Sequence, residues 1–325
     1  MLIKIIFLTM LFSGTIISIS SSTWISVWIG LELNLMAFIP LLMSKHNQQG
    51  NEATLKYFLI QAFASIFLLT SILLMVMKNY FIFPLPFINH MLTTMILLKM
   101  GAAPFHFWFP AIIQGLNWQN CFILMTWQKL APLFIILTMN MNIIIFSAIA
   151  SAWIGAIGGY NQMMLRKILA YSSINHLGWL LTSTMMSEIF MLIYFTFYSI
   201  LNLIIITMTN KWNINHLTQI PSQTPSKNLS MTFITNLLSL GGLPPFLGFL
   251  PKWIIISQMI NKLPFQMFSL IMSSLITLYF YLRVSYTLIL KSHSTMNFQT
   301  MLPSKLFSFL TMCSITGLVI TYPLI

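Results

Sequence analysis

Five charged side chains stand inside stretches otherwise built of apolar residues. They are Glu32 in "IGLELNLMAF", Lys99 in "LLKMGAAPFHFWFP", Lys129 in "LMTWQKLAP", Lys252 in "LPPFLGFLPKW" and Arg283 in "YFYLRVSY". In mid-bilayer each such charge costs about 2.5–3.5 kcal/mol on insertion scales, and residues kept there mark ion or proton pathways by default. A carboxyl and an amine can exchange protons, whereas a guanidinium stays charged in proteins. Glu32 and the three lysines are therefore the candidates for chemistry. The alternatives are a structural ion pair or a side chain that reaches the interface, and Arg283 is read in that second way.

Each lysine has a proline close by: Pro104 after Lys99, Pro132 after Lys129, Pro251 before Lys252. A helix-interior proline removes one hydrogen bond and crowds the carbonyl four residues back, here those of Met100, Gln128 and Leu247. Irregular backbone at membrane depth is tolerated where it faces protein or a water-filled cavity. Broken helices beside an ion site occur in transporters built from inverted repeats. The pattern occurs twice: shifted by 141 residues, Gly101, Pro104, Phe105 and Pro110 fall on Gly242, Pro245, Phe246 and Pro251. Lys99 is expected near the carboxyl end of a half-helix, where the dipole attracts a cation. Lys252 is expected near an amino end, where it repels one. A simple structural kink is the alternative for any one of these prolines.

Two histidines extend the set. His106 lies two residues after Pro104, and His176 in "AYSSINHLGW" shares a helix face with Ser172, Ser173 and Trp179. Each is either an interhelical hydrogen bonder or part of a hydrated polar line between the lysines. Sodium sites commonly use carboxylates and carbonyls, so an interior this poor in acids favours protons.

The elements that hold these residues follow from composition. The chain of 325 residues is 58% apolar and 6% charged, far from the roughly 25% charged residues of soluble domains. Stretches of the ~20 apolar residues that a spanning helix needs recur throughout, at 2–21, 24–43, 54–77, 88–111, 118–138, 142–159, 163–184, 187–209, 229–258, 265–289 and 304–324. The reading is an all-α polytopic membrane protein with about 11 transmembrane helices, the ninth long enough to contain a break at "GGLPP". The alternating ~10-residue segments of a β-barrel are not seen. The first stretch, with Lys4 and a serine cluster, has the outline of a signal peptide. Nothing downstream resembles a secreted domain, so it is counted as a span.

Eleven spans place the termini on opposite sides. Lys4, Lys45, Lys56, Arg166, Lys167, Lys211, Lys227, Lys291 and Lys305 fall on the amino-terminal side, and only Lys78 and Lys262 on the other. That bias sets the N-terminus inside. It also explains the +12 net charge as loop charge, with no nucleic-acid partner. Connections such as "NKWNINHLTQIPSQTPSK" are too short for a catalytic domain, so any chemistry lies in the membrane.

Other signals are weaker. Cys121 and Cys313 have neither disulfide nor metal-ligand spacing, so no metal is expected. "GAIGGYNQ" follows no strand and reads as helix packing or a turn, not a nucleotide loop. Glu52 and Lys56 form an i, i+4 pair, and Glu188 lies at an outer boundary. The 25 methionines hint at an organellar gene; with the aromatics they read as lipid-facing or packing residues and not as a quinone site.

In order along the chain, "GLELNLMAFIPLL", "EATLKYFLIQAFAS", "LLKMGAAPFHFWFP", "LMTWQKLAP", "LRKILAYSSINHLGW" and "LSLGGLPPFLGFLPKW" closely resemble the NADH dehydrogenase subunit 2 family of mitochondrial respiratory complex I, in an arthropod-like form. The resemblance runs to about residue 290. It implies an antiporter-like core subunit of the inner-membrane arm: a single membrane domain with two inverted five-helix repeats with discontinuous helices, 1–138 and 139–290, then a C-terminal loop and helix at 291–325. It further implies that Glu32 is the family's membrane glutamate, Lys99 its broken-helix lysine, Lys129 its central lysine, Lys252 its exit-side lysine, and His176 the polar residue between those two. His106 remains a further candidate.

On this resemblance protons cross the mitochondrial inner membrane, with the N-terminus in the matrix and the C-terminus in the intermembrane space. NADH oxidation by ubiquinone would drive them, with FMN and iron–sulfur clusters in other subunits and no redox centre or cofactor in this chain. The implied partners are other membrane-arm subunits and membrane lipids, cardiolipin among them. Two further readings stay open: a stand-alone cation/proton antiporter, and a structural membrane adaptor without transport.

Overall fold

A computed structural model describes residues 2–43, 47–77, 84–139, 141–219 and 227–291. Lys45, Lys78, Lys305, Cys313 and the expected span 304–324 lie outside the described residues. Within them the chain is helical, with no strand and one isolated bridge between Met164 and His216. Two compact units divide after Ser151.

The first unit begins with α1 (Leu2–Ser20), α2 (Trp24–Leu42) and α3 (Gln48–Val76). Thr23 caps α2, its hydroxyl accepting from Ser26 N–H at 3.4 Å, the role short hydroxyl residues play at an N-cap. The backbones of α1 and α2 approach closely because Gly14 and Gly30 face each other. A Cβ on Gly30 would stand 2.6 Å from Ser18 N, and one on Gly14 2.9 Å from Asn34 N. Small residues allow such contact between membrane helices, and here they fix the turn of α2 that carries Glu32 and Asn34.

Four short helices follow: α4 (Leu85–Met100), α5 (Trp108–Gly115), α6 (Trp118–Met125) and α7 (Trp127–Ile136). The expected spans 88–111 and 118–138 are thus each interrupted. The second is interrupted at Thr126 and not at Pro132. Thr126 has φ −115° and ψ −74°, and its hydroxyl donates to Phe122 O at 2.7 Å. Pro132 is carried inside α7.

α8 (Met141–Gly159) runs across the division. The second unit continues with α9 (Leu165–Thr184), α10 (Glu188–Lys211), α11 (Lys227–Gly241), α12 (Phe249–Met259) and α13 (Pro264–Lys291). Ser187 caps α10. α9 is buried on nearly every face although it carries Ser172, Ser173, Asn175 and His176. Its polar groups find partners inside: Asn175 Nδ2 donates to Ala152 O at 2.8 Å and to Ser273 Oγ at 3.2 Å, joining α9 to α8 and α13. The glycines of "GAIGGYNQ" pack. A Cβ on Gly155 would meet Asn175 N at 2.5 Å, and one on Gly158 would meet the Tyr171 ring at 2.4 Å.

Among the described residues six helices are long and apolar enough to cross a membrane: α1, α2, α3, α8, α10 and α13. α9 has the length but is more polar, and the remaining helices are the halves created by interruptions. Buried charge therefore collects on half-helices and on the helices packed against them.

Candidate functional site

The two interruptions at "KMGAAP" and "LGGLPP" are built alike. α4 ends at Met100 and Gly101 takes φ +74°; α11 ends at Gly241 and Gly242 takes φ +83°. Glycine serves at both because a side chain is strained in this left-handed region. Gly101 N–H donates to Leu98 O at 3.0 Å and Ala102 N–H to Leu97 O at 3.0 Å. The same bonds recur 141 residues on, from Gly242 to Ser239 at 3.0 Å and from Leu243 to Leu238 at 3.4 Å. This double bonding is the Schellman helix stop. The next half-helix opens at Trp108 in one copy and Phe249 in the other, again 141 apart. Glycine caps, as well as prolines, end these helices.

In the first unit the carbonyls freed by the break lie upstream of the expected Met100. Besides its backbone partner, Leu98 O accepts from Trp108 Nε1 at 3.1 Å, and Lys99 O accepts from Gln61 Nε2 on α3 at 3.3 Å. The Lys99 side chain, buried with 7% exposure, faces a cavity of about 20 Å³ that is also lined by Lys129, Asn34, Tyr57, Gln61 and Gln128. One water needs roughly 10–15 Å³, so the cavity admits one. Gln128 is oriented at both ends: its Nε2 donates to Asn34 Oδ1 at 2.9 Å, and its Oε1 accepts from the Tyr57 hydroxyl at 3.5 Å. Lys129, 1% exposed, sits with Nζ 5.1 Å from the centre of the Phe109 ring, a cation–π arrangement.

Glu32, on α2, lies close enough to act electrostatically on Lys99 and Tyr57. Its Oε2 is buried without a hydrogen-bond partner. Lys99 and Lys129 thus line one polar cavity, while Glu32, in the same unit and within electrostatic reach of Lys99, is not among the residues that bound it. His106 is not among the cavity residues. It is buried in the loop between α4 and α5, with Nδ1 3.2 Å from Pro104 O and its ring against Phe107.

In the second unit Lys252, 4% exposed, lies in the first turn of α12. Its Nζ reaches back to the end of α11, donating to Gly241 O at 2.9 Å and to Leu240 O at 3.4 Å. The expected repulsion at an amino end is therefore not what its charge meets. The ammonium occupies the carboxyl end of the preceding half-helix, a favourable place for a cation. It also lies 5.8 Å from the Trp179 ring. In the first unit the carbonyl that corresponds to Leu240 O, that of Lys99, takes a neutral amide from Gln61 instead.

His176 on α9 is buried, and its Nδ1 is 2.8 Å from the hydroxyl of Tyr194 on α10. The Ser172 and Ser173 hydroxyls, expected beside it, donate to their own helix at Leu169 O and Ala170 O. A cavity of about 10 Å³ is bounded by His176, Tyr194, Tyr198, Leu240 and Pro251, so His176 borders the same break that Lys252 caps. Arg283 on α13 donates through Nη2 to Gln162 O in the α8–α9 connection, a structural tie. Asn34, Tyr57, Gln61, Gln128 and Tyr194 were not singled out in the sequence. Their signal was only a polar type within an apolar run.

The model of the family described as "NADH:quinone oxidoreductase/Mrp antiporter, TM" matches residues 21–277. NADH-ubiquinone oxidoreductase chain 2 of Aedes aegypti is 47% identical over 296 residues, covering 89% of this chain and 86% of the relative. The protein of the same name from Locusta migratoria is 44% identical over 330 residues, covering 98% and 96%. Among solved structures, a chain of respiratory complex I from Thermus thermophilus superimposes with a TM-score of 0.77 at 21% identity, covering 95% of this chain and 75% of that one. That likeness establishes the shared fold. With most of its length matched, this chain belongs to the NADH:quinone oxidoreductase/Mrp antiporter transmembrane family.

Proposed function

We propose that the chain is an antiporter-like core subunit of the membrane arm of NADH:ubiquinone oxidoreductase, and that it moves protons across the mitochondrial inner membrane through Glu32, Lys99 and Lys129 in its first unit and His176 and Lys252 in its second. The observation that carries this reading is the water-sized cavity bounded by two buried lysines, with Gln128 fixed between Asn34 and Tyr57. An adaptor held together by its lysines has no need of space beside them. A proton path needs room for water and donors that can be re-formed after each transfer.

In this mechanism the redox steps belong to other subunits, with NADH, FMN, iron–sulfur clusters and ubiquinone, and this chain supplies proton handling alone. A change in the electrostatic coupling of Glu32 and Lys99 alters how Lys129 holds its proton, through the field they share across the cavity. Lys252 is the exit-side group: its ammonium gives two of its three N–H donors to the Gly241 and Leu240 carbonyls, and the amine left after transfer of a proton still has two N–H to keep those bonds. His106, turned onto Pro104 O, is a loop-fixing residue on this reading. The 11 spans, the inverted repeats at 1–138 and 139–290, the matrix-side N-terminus and the contacts with membrane-arm subunits and cardiolipin belong to the same proposal.

Two measurements separate the alternatives. Purified from membranes, the chain should travel with NADH-oxidising activity, and isolation as a free antiporter would refute the subunit assignment. Lys129→Met should leave assembly intact and depress proton transport, whereas unchanged transport would favour the adaptor.

A further inference from the structure

α13 is longer than a bilayer core is thick. Its 28 residues, Pro264–Lys291, rise about 42 Å, against ~30 Å of hydrocarbon. With Asn261 and Lys262 just before it at one edge, Arg283 stands about 29 Å along the helix, at the level of the opposite headgroups.

One face of α13 is exposed along this length. Met272, Leu275, Tyr279, Leu282 and Tyr286 follow one another at steps of three and four and are all exposed, the spacing of a single helical stripe. Tyr279 stacks on Tyr160, just beyond α8, with ring centroids 5.1 Å apart, planes within 14° and side chains hydrogen-bonded to each other. Tyr160 is exposed as well. Arg283, one turn after Tyr279, is half-buried and acts electrostatically on Tyr160. Its Nη2 bond to Gln162 O uses one of five guanidinium N–H donors and holds the charge beside the tyrosine pair. Along one face the chain thus passes from aliphatic to aromatic to cationic, and tyrosines favour the membrane–water interface.

The same end of the unit is cationic without a counter-charge. Leu165 N–H donates to Asn215 O at 3.0 Å, and Arg166 Nη2 donates to Asn215 Oδ1 at 2.8 Å. Arg166 and Lys167 at the start of α9, and Lys211 at the end of α10, therefore gather where Gln162 holds Arg283. The second unit has one acidic side chain, Glu188, in the first turn of α10, about 35 Å along the helix from Lys211. Charge complementarity calls for an anion from outside the unit. The apolar stripe running away from the charge calls for an anion that carries hydrocarbon.

We propose that Arg283, Tyr160 and Tyr279 bind the headgroup of an anionic phospholipid on the inner face of the membrane, with its acyl chains along Leu275 and Met272. Phosphate oxygens accept from the guanidinium, whose fork suits them, and the tyrosine hydroxyls lie at the same level. Arg166, Lys167 and Lys211 add attraction worth roughly fivefold in binding per charge near an anionic surface. A zwitterionic lipid offers the same phosphate with its own cation attached, so net charge is what the site distinguishes. The site rests on the membrane orientation proposed above and not on proton transport.

The assembled complex in phosphatidylcholine vesicles tests it, with a trace of either phosphatidylglycerol or phosphatidylcholine bearing a photoactivatable acyl chain. Labelling of residues 272–286 by the phosphatidylglycerol probe should exceed that by the phosphatidylcholine probe about fivefold or more. Equal labelling by the two would overturn the site. Labelling by neither would overturn it too, because a protein segment, from a partner or from residues 304–324, would then cover the face. Arg283→Gln should bring the ratio close to one, and Arg283→Lys should keep most of it; a ratio that survives Arg283→Gln would contradict the assignment. If Arg283→Gln does not assemble, the two probes on the unaltered complex still decide. Proton yield in Lys129→Met bears on transport alone, so the two readings fail separately.

Discussion

Lys252 Nζ lies 2.9 Å from the carbonyl oxygen of Gly241, so the charge on one half-helix closes the end of the half-helix before it. The lysine is both the group proposed to carry a proton and the cap of α11. Lys252→Met should therefore do more than remove a titratable site. With the carbonyls of Gly241 and Leu240 left without this donor, the assembled subunit should lose about 1–3 kcal/mol, read as a lower thermal dissociation midpoint in detergent. Lys252→Arg, which keeps a donor, should recover most of that midpoint.

Gly242 is fitted to Lys252. At φ +83° an added Cβ would stand 2.9 Å from Lys252 Nζ and 3.0 Å from its Cδ. Gly242→Ala should cost about 1–2 kcal/mol in backbone strain alone and displace the ammonium from Gly241. Gly101→Ala, whose Cβ would meet Phe109 and Trp108 side chains at 3.2 Å, should carry a similar backbone cost and leave Lys252 untouched. Comparing proton transport in the two, at matched assembly, separates strain at a break from displacement of the lysine.

Gln61 and Gln128 should respond differently to truncation of their amides. Gln61→Leu strips the donor from Lys99 O, a loss of about 1–3 kcal/mol for a buried carbonyl left unpaired, visible chiefly as lower assembly. Gln128→Leu breaks the bonds to Asn34 and Tyr57 at the cavity wall and should reduce proton transport more than assembly. Equal losses of both quantities in both variants would contradict a role for the Gln128 amide in the path.

The close approach of α1 and α2 gives a test of how Glu32 is placed. A Cβ on Gly30 would lie 2.6 Å from Ser18 N, against backbone that cannot rotate away. Gly30→Ala should force the helices apart, cost about 1–3 kcal/mol by overpacking and shift Glu32 relative to Lys99. Reduced assembly is the expected outcome, and normal assembly with normal transport would contradict the tight α1–α2 contact.

Much of this was legible in the sequence because membranes constrain it so tightly. The runs of apolar residues foretold an all-helical chain, although the runs at 88–111 and 118–138 are each divided between two helices, and the echo of Gly101 in Gly242 marked two stops that share their hydrogen bonds. What stayed hidden were partners across helices. Periodicity along α3 cannot say that Gln61 faces the end of α4, nor can α10 announce that Tyr194 meets His176. The stop at Thr126 was hidden for another reason: threonine bonds its own helix carbonyl here, a local choice that leaves no breaker residue to see. The reach of Lys252 back to Gly241 needed the loop geometry, since a dipole argument from its own helix pointed the other way.

The central claim is that Lys129 carries a proton from the cavity it shares with Lys99. Lys129→Met keeps the length of the side chain and removes the titratable amine. In the assembled complex, reconstituted into sealed vesicles, protons moved per NADH oxidised can be counted beside the amount of complex formed. A fall in proton yield with normal assembly is predicted; an unchanged yield with normal assembly would contradict the account.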